Sequence, residues 1–365
     1  MNVVFYAVLI TLFLNNATFW FWFSRVCNQL LTNKITESIQ LPPVSVIVCY
    51  KNAQNHILTT IKTILAQNYL DFEVIAINDF STDQSMSILS QINNDKLVLL
   101  SAKQDLPGKK AALSQAILHA KNEILLFTDA DCVPASDQWI TSMVHYLNAD
   151  ETKEIVLGYG PMIKKPGLLN AFARYETILT AMQYFTYARA GIPYMGVGRN
   201  LMYKKSTFER IGGFREHLHL ASGDDDLLVS KVANQYNTVV NLDEKSFVYS
   251  EAKDTFNSYL NQKIRHISTS YHYTFKHQFL LTLFALSQLS FYLLLIVGSI
   301  FNFWTLKFGL LILTSKWVVQ MFLHNNIFEH LNGKDIKWYF PFLDITMTIY
   351  YIILPIFRWF RKTEW

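Results

Sequence analysis

Ile124-Leu125-Leu126-Phe127-Thr128-Asp129-Ala130-Asp131-Cys132-Val133-Pro134 is the stretch on which the fold turns. Its first five residues are apolar or β-branched and read as a buried strand over 124–128. Two carboxylates follow at once, one residue apart. In extended chain, residues two apart face the same side, so Asp129 and Asp131 can address one cation or its water shell. Hard ions such as Mg²⁺ and Mn²⁺ take a few carboxylates together with phosphate oxygens. Taken alone, an Asp-x-Asp is more often a turn or a helix cap.

The residues upstream make the sharper reading stronger. Val44 to Cys49 and Phe72 to Ile77 read as further strands, with Ile57, Ile61, Ile64 and Leu65 at helical spacing between them. Ser81 to Asn93 reads as a helix, Lys96 to Ser101 as a strand, and Lys109 to Ala120 as a helix. Strands alternating with helices predict an α/β domain around a parallel sheet, extending over 41–270. Such sheets bind ligands at the carboxyl ends of their strands, where strand order reverses. A second acidic turn, Asn78-Asp79-Phe80-Ser81-Thr82-Asp83, stands at such an end. Neither Gly-x-Gly-x-x-Gly nor Gly-x-x-x-x-Gly-Lys-Ser/Thr occurs, so a metal is the obvious remaining counter-charge for phosphate. Lys109, at a helix start, is either a further cation near that phosphate or a solvated lysine.

Downstream, nine of the 13 glycines fall between Gly158 and Gly223, which marks a turn-rich half suited to binding. Gly223-Asp224-Asp225-Asp226 closes it. Three adjacent carboxylates repel one another and raise at least one pKa unless a cation or helix N-terminus compensates. Capping the helix that begins near Leu227 accounts for one of them, and a general base is the sharper role for another. Gln262, Arg265 and His266 share a helix face at i, i+3 and i+4. By pattern alone, a membrane-surface helix with snorkelling cations describes that segment better than a site.

The flanks are of another kind. The chain has 365 residues, 51% hydrophobic and only 16% charged, where soluble domains carry roughly 25% charged residues. Val3 to Phe23 has no charged residue and, lacking a basic start, predicts an uncleaved membrane anchor over 1–25. Phe279 to Phe301, Phe303 to Leu323 and Trp338 to Phe357 predict three more spans over 278–358. Lys307, Lys316 and Asp344 interrupt the last two, and Asp344 is expected in the bundle interior. Arg25 and Lys34 after the first span, with Lys263, Arg265 and Lys276 before the second, place the middle of the chain on the cytoplasmic side. Arg358, Arg361 and Lys362 then conflict with three full C-terminal crossings, which a re-entrant segment or a hidden crossing near Lys307 would resolve. Cys27, Cys49 and Cys132 are too few for a disulfide scaffold and fit a reducing compartment. The net charge of +4 gives no argument for nucleic acid.

Taken together, these residues resemble the membrane-associated family 2 glycosyltransferases with a GT-A catalytic domain, whose members include cellulose, chitin and hyaluronan synthases and ceramide glucosyltransferases. Val44 to Asn52 is similar to the opening strand, Gln67-Asn68-Tyr69 with Phe72 to Ile75 to the segment entering the second, and Asn78 to Asp83 to the Asp-Asp-Gly-Ser-Thr-Asp turn. Thr128 to Pro134 resembles the metal-binding motif. Gly198-Arg199-Asn200-Leu201 and Ile211-Gly212-Gly213-Phe214 resemble the acceptor-side loop. The likeness runs from about Pro43 to His266. It implies a Rossmann-like nucleotide-diphospho-sugar transferase domain between one N-terminal and about three C-terminal transmembrane helices.

The resemblance also implies roles. Cys49, Tyr50, Asp79, Lys109 and Asp129 would bind the nucleotide-sugar, Asp131 and Asp129 the Mg²⁺ or Mn²⁺, and Arg199 and Asn200 the acceptor. Asp225 matches the catalytic base, with Asp224 as the runner-up. Gln262, Arg265 and His266 match the Gln-x-x-Arg-Trp motif that closes over the diphosphate. Asn78 replaces the first aspartate of the usual pair, and His266 replaces a tryptophan that supports a growing polymer, which argues against long processive synthesis. The expectation is an inverting, metal-dependent transfer from a nucleotide-sugar, with UDP favoured by the resemblance, to a hydroxyl of a lipid or lipid-linked glycan. It would take place at the cytoplasmic face of the cell membrane, on a multi-pass protein. A processive polysaccharide synthase and a catalytically silent membrane scaffold are the alternatives.

Overall fold

The structure is a computed structural model that describes residues 2–32, 41–103, 108–220 and 222–360. Lys34, Pro107, Arg361 and Lys362 lie outside the described residues. In chain order the elements are α1 (Asn2–Thr32), β1 (Val44–Tyr50), α2 (Ile57–Leu65), β2 (Phe72–Asn78), α3 (Ser85–Ser90), β3 (Leu97–Ser101), α4 (Lys109–His119), β4 (Ile124–Asp129), β5 (Cys132–Pro134), α5 (Trp139–Leu147) and β6 (Ile155–Leu157). They continue with α6 (Leu168–Arg189), β7 (Leu201–Lys204), α7 (Lys205–Arg210), α8 (Asp226–Val232), β8 (Thr238–Val240), β9 (Val248–Ser250), α9 (Phe256–Ser270), α10 (Phe275–Ile300), α11 (Leu306–His330) and α12 (Phe340–Phe360).

Seven strands form one sheet in the order β3-β2-β1-β4-β7-β6-β8, and β5 pairs with β9 apart from it. The first four are parallel, and β1, β2 and β4 are apolar and buried on both faces, as strands inside such a sheet are. Beyond β4 the sheet departs from the parallel expectation. β7 runs antiparallel to β4, and β6 antiparallel to β7. Strand order reverses between β1 and β4, and the register sets Cys49 of β1 opposite Asp129 of β4. The carboxyl ends of β1, β2 and β4 therefore open onto one crevice, the ligand position of such sheets.

Two helix expectations change. The helix expected from Ser81 shortens to α3, because Asn52, Gln54, Ser81 and Asp83 spend their polar groups on each other: Ser81 Oγ and Asp83 Oδ2 accept from the Asn52 and Gln54 amides at 3.0 and 2.9 Å. Side chains that bond nearby backbone in this way compete with helix. The glycine-rich half, in turn, contains α6, a helix of 22 residues with 16 of them buried.

Among the described residues, four helices are long and apolar enough to cross a membrane, Val3–Thr32, Phe275–Ile300, Leu306–His330 and Lys337–Arg358, which supports membrane association of the chain. α1, α10 and α11 lie side by side. Asn16 Nδ2 donates to the Ser287 carbonyl at 2.9 Å, Trp20 packs edge-on to Phe284 with centroids 5.3 Å apart, and Phe5 stacks on Phe303 at 3.9 Å. α1 continues past the expected anchor boundary, and its last turns dock on α6, with Trp22 beside Tyr187 at 5.5 Å.

Candidate active site

The crevice between β1 and β4 widens into a cleft of about 1280 Å³ lined by the ends of those strands, by α6, by the Gly198–Asn200 turn and by α9. Asp129, the last residue of β4, and Asp131 two residues on lie at its mouth. Their carboxylate oxygens and the Cys132 sulfur fall within 4.8 Å of one another. Burial pushes the Cys132 thiol well above its ordinary pKa, so it stays protonated and is a poor ligand. The two carboxylates are hard oxygen donors and fit Mg²⁺ or Mn²⁺.

Lys109, the first residue of α4, reaches across the cleft between two acids, with Nζ 3.0 Å from Asp129 and 2.8 Å from Asp224. Burial would raise the Asp129 pKa, but the Lys109 charge, backed by Arg199 and Arg265, outweighs it and holds Asp129 below the usual carboxylate range. Lys109 is itself held well above the ordinary lysine value, because the attraction of Asp129, Asp224 and Asp225 exceeds its desolvation. It stays charged, which makes it an anchor for anions rather than a proton carrier.

The three consecutive aspartates separate into three environments. Asp224 is ion-paired to Lys109. Asp226 is buried and accepts from the hydroxyls of Thr269 and Tyr273, the latter at 2.7 Å, which ties α8 to the segment entering the membrane. Asp225 caps α8, accepting from the Asp226 amide at 2.8 Å, while its Oδ2 accepts from the Gly198 amide at 2.6 Å. Burial, then the charges of Asp224 and Asp226, push Asp225 up to about 7. A carboxylate poised near neutrality inside a cleft has the profile of a general base.

Asp79 ends the second strand's turn almost wholly buried. Its Oδ1 accepts from the Gly108 amide at 3.2 Å, and its buried Oδ2 has no hydrogen-bond partner among the described residues. Phe80 beside it holds φ at 55°, the left-handed region that costs a non-glycine residue about 1–2 kcal/mol. Backbone strain of that kind gathers at functional turns. Cys49 and Tyr50 also line the cleft, and Tyr50 is fixed by its hydroxyl 3.1 Å from Met86 Sδ.

The remaining expected residues divide. Gln262, Arg265 and His266 of α9 all line the cleft, so that helix face turns to the site and not only to a membrane surface. Arg199 lines it too, with Nε and Nη2 donating to the Gly160 carbonyl at 3.1 and 2.5 Å. Gly160 leaves room for that approach, since a Cβ there would lie 2.1 Å from Arg199 Nε and displace the guanidinium. Asn200 turns the other way. It is fully buried, donates to the Tyr159 and Ser246 carbonyls at 2.8 Å each and accepts from Trp139 Nε1 at 3.0 Å, so it holds the turn in place and is not part of the cleft lining.

Sequence reasoning missed the wall made by α6 and α12. Glu176, Thr180 and Tyr184 of α6 and Met347, Tyr350 and Tyr351 of α12 line the cleft. Glu176 pairs with Lys263 of α9. The one available signal was the lysine within Gln262-Lys263-Ile264-Arg265-His266, whose partner lies 87 residues earlier.

Comparison with known proteins agrees with this geometry. The sequence model of glycosyl transferase family 2 matches residues 45–212, and that of glycosyl transferase family group 2 matches residues 129–358. A glycosyltransferase of Haemophilus influenzae without an assigned activity is 35% identical over 30% of this chain and 34% of its own length. A UDP-Glc:alpha-D-GlcNAc-diphosphoundecaprenol beta-1,3-glucosyltransferase of Escherichia coli is 26% identical over 32% of this chain and 44% of its own. The poly-beta-1,6-N-acetyl-D-glucosamine synthase of Staphylococcus aureus is 26% identical over 37% and 33%. The chain thus spans between a third and somewhat less than half the length of these relatives. Among solved structures, a mannosyltransferase of Pyrobaculum calidifontis in complex with GDP-Man and Mn²⁺ superposes with a TM-score of 0.62 at 18% identity, covering 96% of this chain and 99% of that one. At that identity the likeness speaks for the fold.

Proposed function

The chain belongs to the family 2 glycosyltransferases, and from that premise we propose that it transfers a sugar from a nucleotide-sugar, with UDP favoured, to a hydroxyl of a lipid or lipid-linked glycan. The observation that carries the reading is the placement of Asp129, Asp131, Lys109 and Asp225 around one cleft that continues to the membrane helices. The buried Asp79 oxygen that has no partner among the described residues accepts a hydrogen bond from the nucleotide in this reading. Lys109 holds the diphosphate by charge. Asp129 and Asp131 hold Mg²⁺ or Mn²⁺, whose charge when bound offsets that of the leaving diphosphate.

Asp225 takes the proton of the acceptor hydroxyl as its oxygen bonds to the anomeric carbon, and the bond to the nucleoside diphosphate breaks on the opposite side. One displacement inverts the anomeric configuration. Arg265 on α9 adds positive charge where the leaving group gathers negative charge. The catalytic domain faces the cytoplasm in this reading, in line with Arg25 before it and Lys263, Arg265 and Lys276 after it.

Thermal unfolding of the purified protein with a series of nucleotide-sugars, with and without Mn²⁺, tests the assignment. Asp131→Ala is expected to lose the Mn²⁺-dependent rise, and His266→Ala to keep it. Equal loss in both variants, or no rise with any nucleotide-sugar in the wild type, would overturn the reading.

A further inference from the structure

Between β9 and α10, α9 holds Gln262, Arg265 and His266 to the cleft, and carboxylates of two other helices decide how it sits. Toward its end, Asp226 of α8 accepts from the Thr269 hydroxyl, and from the Tyr273 hydroxyl just beyond at 2.7 Å. Toward its middle, Glu176 of α6 pairs with Lys263. Arg265 lies between the two ties, about 3 Å along the axis from Lys263 and about 6 Å from Thr269 at 1.5 Å per residue. The ties also differ in direction. At 3.6 residues per turn, Lys263 and Thr269 point about 120° apart around the helix, so together they fix its roll as well as its height. Leu260 and Ile264 bury α9 against the core, but apolar contact is non-directional and sets an angle less sharply than an ion pair does.

Glu176 comes from a firmly held helix. Its neighbour Tyr175 packs on Phe328 and Phe340 with centroids 5.8 and 5.7 Å apart, and Tyr184, about two turns on, donates to the Gly158 carbonyl at 2.8 Å. The Lys263 and Glu176 side chains are only 11% and 10% exposed, and the Lys263 ammonium also lies 5.4 Å from the Tyr259 ring centroid. Little water competes for a pair so enclosed, so it keeps its geometry where a surface pair would not. Both side chains line the same cleft as Arg265. The Arg265 charge reaches the metal-binding end of that cleft: with Lys109 and Arg199 it outweighs burial and holds Asp129 below the usual carboxylate range.

We infer that Glu176 and Lys263 are positioning residues: their ion pair sets the roll and height of α9 at which the Arg265 guanidinium meets the leaving diphosphate. Neither residue touches the reacting atoms in this account. The pair acts through Arg265, and a shift of about 1 Å at such a group is enough to cost about 10²-fold in rate. That Arg265 faces a diphosphate rests on the proposed function, whereas the hold of Glu176 on α9 does not.

Turnover is read as release of nucleoside diphosphate from UDP-glucose, UDP-N-acetylglucosamine and GDP-mannose by the full-length protein, with Mn²⁺ and vesicles of phosphatidylglycerol and diacylglycerol. Lys263→Met and Glu176→Gln are each expected to lower kcat about 10–100-fold while the donor KM stays within about twofold. The double variant leaves no buried charge unpaired, so it is expected to fold and to be no slower than either single. Losses that multiply in the double variant, or a double variant with wild-type kcat, overturn the inference. In an Arg265→Gln background, Lys263→Met is expected to cost at most about twofold more, and a full further loss overturns action through Arg265. Independently of turnover, a nitroxide at Asn257→Cys, in protein carrying Cys49→Ser, is expected to gain mobility when Lys263→Met is added. An unchanged spectrum overturns the hold on α9. A wild type that releases nucleotide from none of the donors, while the label responds as expected, faults the proposed function instead.

Discussion

Asp224, Asp225 and Asp226 differ in nothing but position along the chain, and folding makes them chemically distinct. Asp224 is claimed by Lys109, Asp226 by Thr269 and Tyr273, and Asp225 is left as the acid whose ionisation sits near neutrality. Asp225→Asn is expected to lower the transfer rate by about 10²–10⁴ while donor binding, followed by thermal shift, is retained. A base works only when deprotonated, so wild-type kcat/KM is expected to rise with pH and level off above about 7. Lys109 lowers the Asp225 pKa, so in Lys109→Met the rising limb of that profile should move to higher pH; a limb that stays or moves down would remove Asp225 from the role. The sequence announced the cluster, because three adjacent carboxylates need an explanation. It did not rank them, since the partners that rank them lie at residues 109, 269 and 273. Asn200 shows the reverse case: it shares the turn with a cleft residue, but its amide is consumed by the Tyr159 and Ser246 carbonyls, and no local pattern distinguishes the two outcomes.

The elements most easily read were those with one burial rule along their length. β1, β2 and β4 are buried on both faces and appear as apolar runs, so their ends could be placed to within a residue or so. α6 escaped because it is enclosed on nearly every side and so carries no amphipathic period, in a stretch whose glycines suggested turns. The four long apolar helices were legible as candidate spans, but their polar residues were not legible as a set. Lys316 of α11 and Asp344 of α12 form a buried ion pair, with the Tyr292 hydroxyl on the same carboxylate and the Gln320 side-chain oxygen 3.0 Å from the lysine. Removing one partner leaves the other charge buried alone, so Asp344→Ala is expected to destabilise the protein by about 3–5 kcal/mol. The double variant Lys316→Met with Asp344→Leu removes both charges and should recover most of that loss. Thermal unfolding in detergent compares them, and a double variant no better than Asp344→Ala would mean that the pair does more than neutralise itself.

At the scale of the whole molecule, division into an anchor, a catalytic domain and a membrane bundle follows the sequence but not the core. One continuous hydrophobic core takes in Ile47 and Ile75 of the sheet, Phe23 and Cys27 of α1, Tyr184 and Tyr187 of α6, Phe284 of α10, Phe328 of α11 and Leu343 of α12. Polar contacts cross the same boundary: Arg174 of α6 grips the Asp335 carboxylate with bonds of 2.7 and 2.8 Å, and the Asn332 carbonyl takes a third. Composition registers where charge is scarce, which marks the spans, but it does not register which apolar residues at the end of a span pack on the neighbouring domain. Each large side chain exposed by cutting the two apart forfeits about 1.5–3 kcal/mol of burial, and folded domains hold only about 5–15 kcal/mol in total. A fragment limited to residues 41–270 would expose the face of α6 that receives Trp22 and Phe23, together with Tyr175, which packs on Phe328 and Phe340. Expressed without the membrane helices, that fragment is therefore expected to aggregate or stay bound to detergent in size-exclusion chromatography, while the full chain in the same detergent runs as a discrete species. A monomeric, detergent-free fragment that unfolds cooperatively would show instead that the catalytic domain is stable apart from the membrane helices, and that the shared core serves only to hold the cleft against the lipid surface.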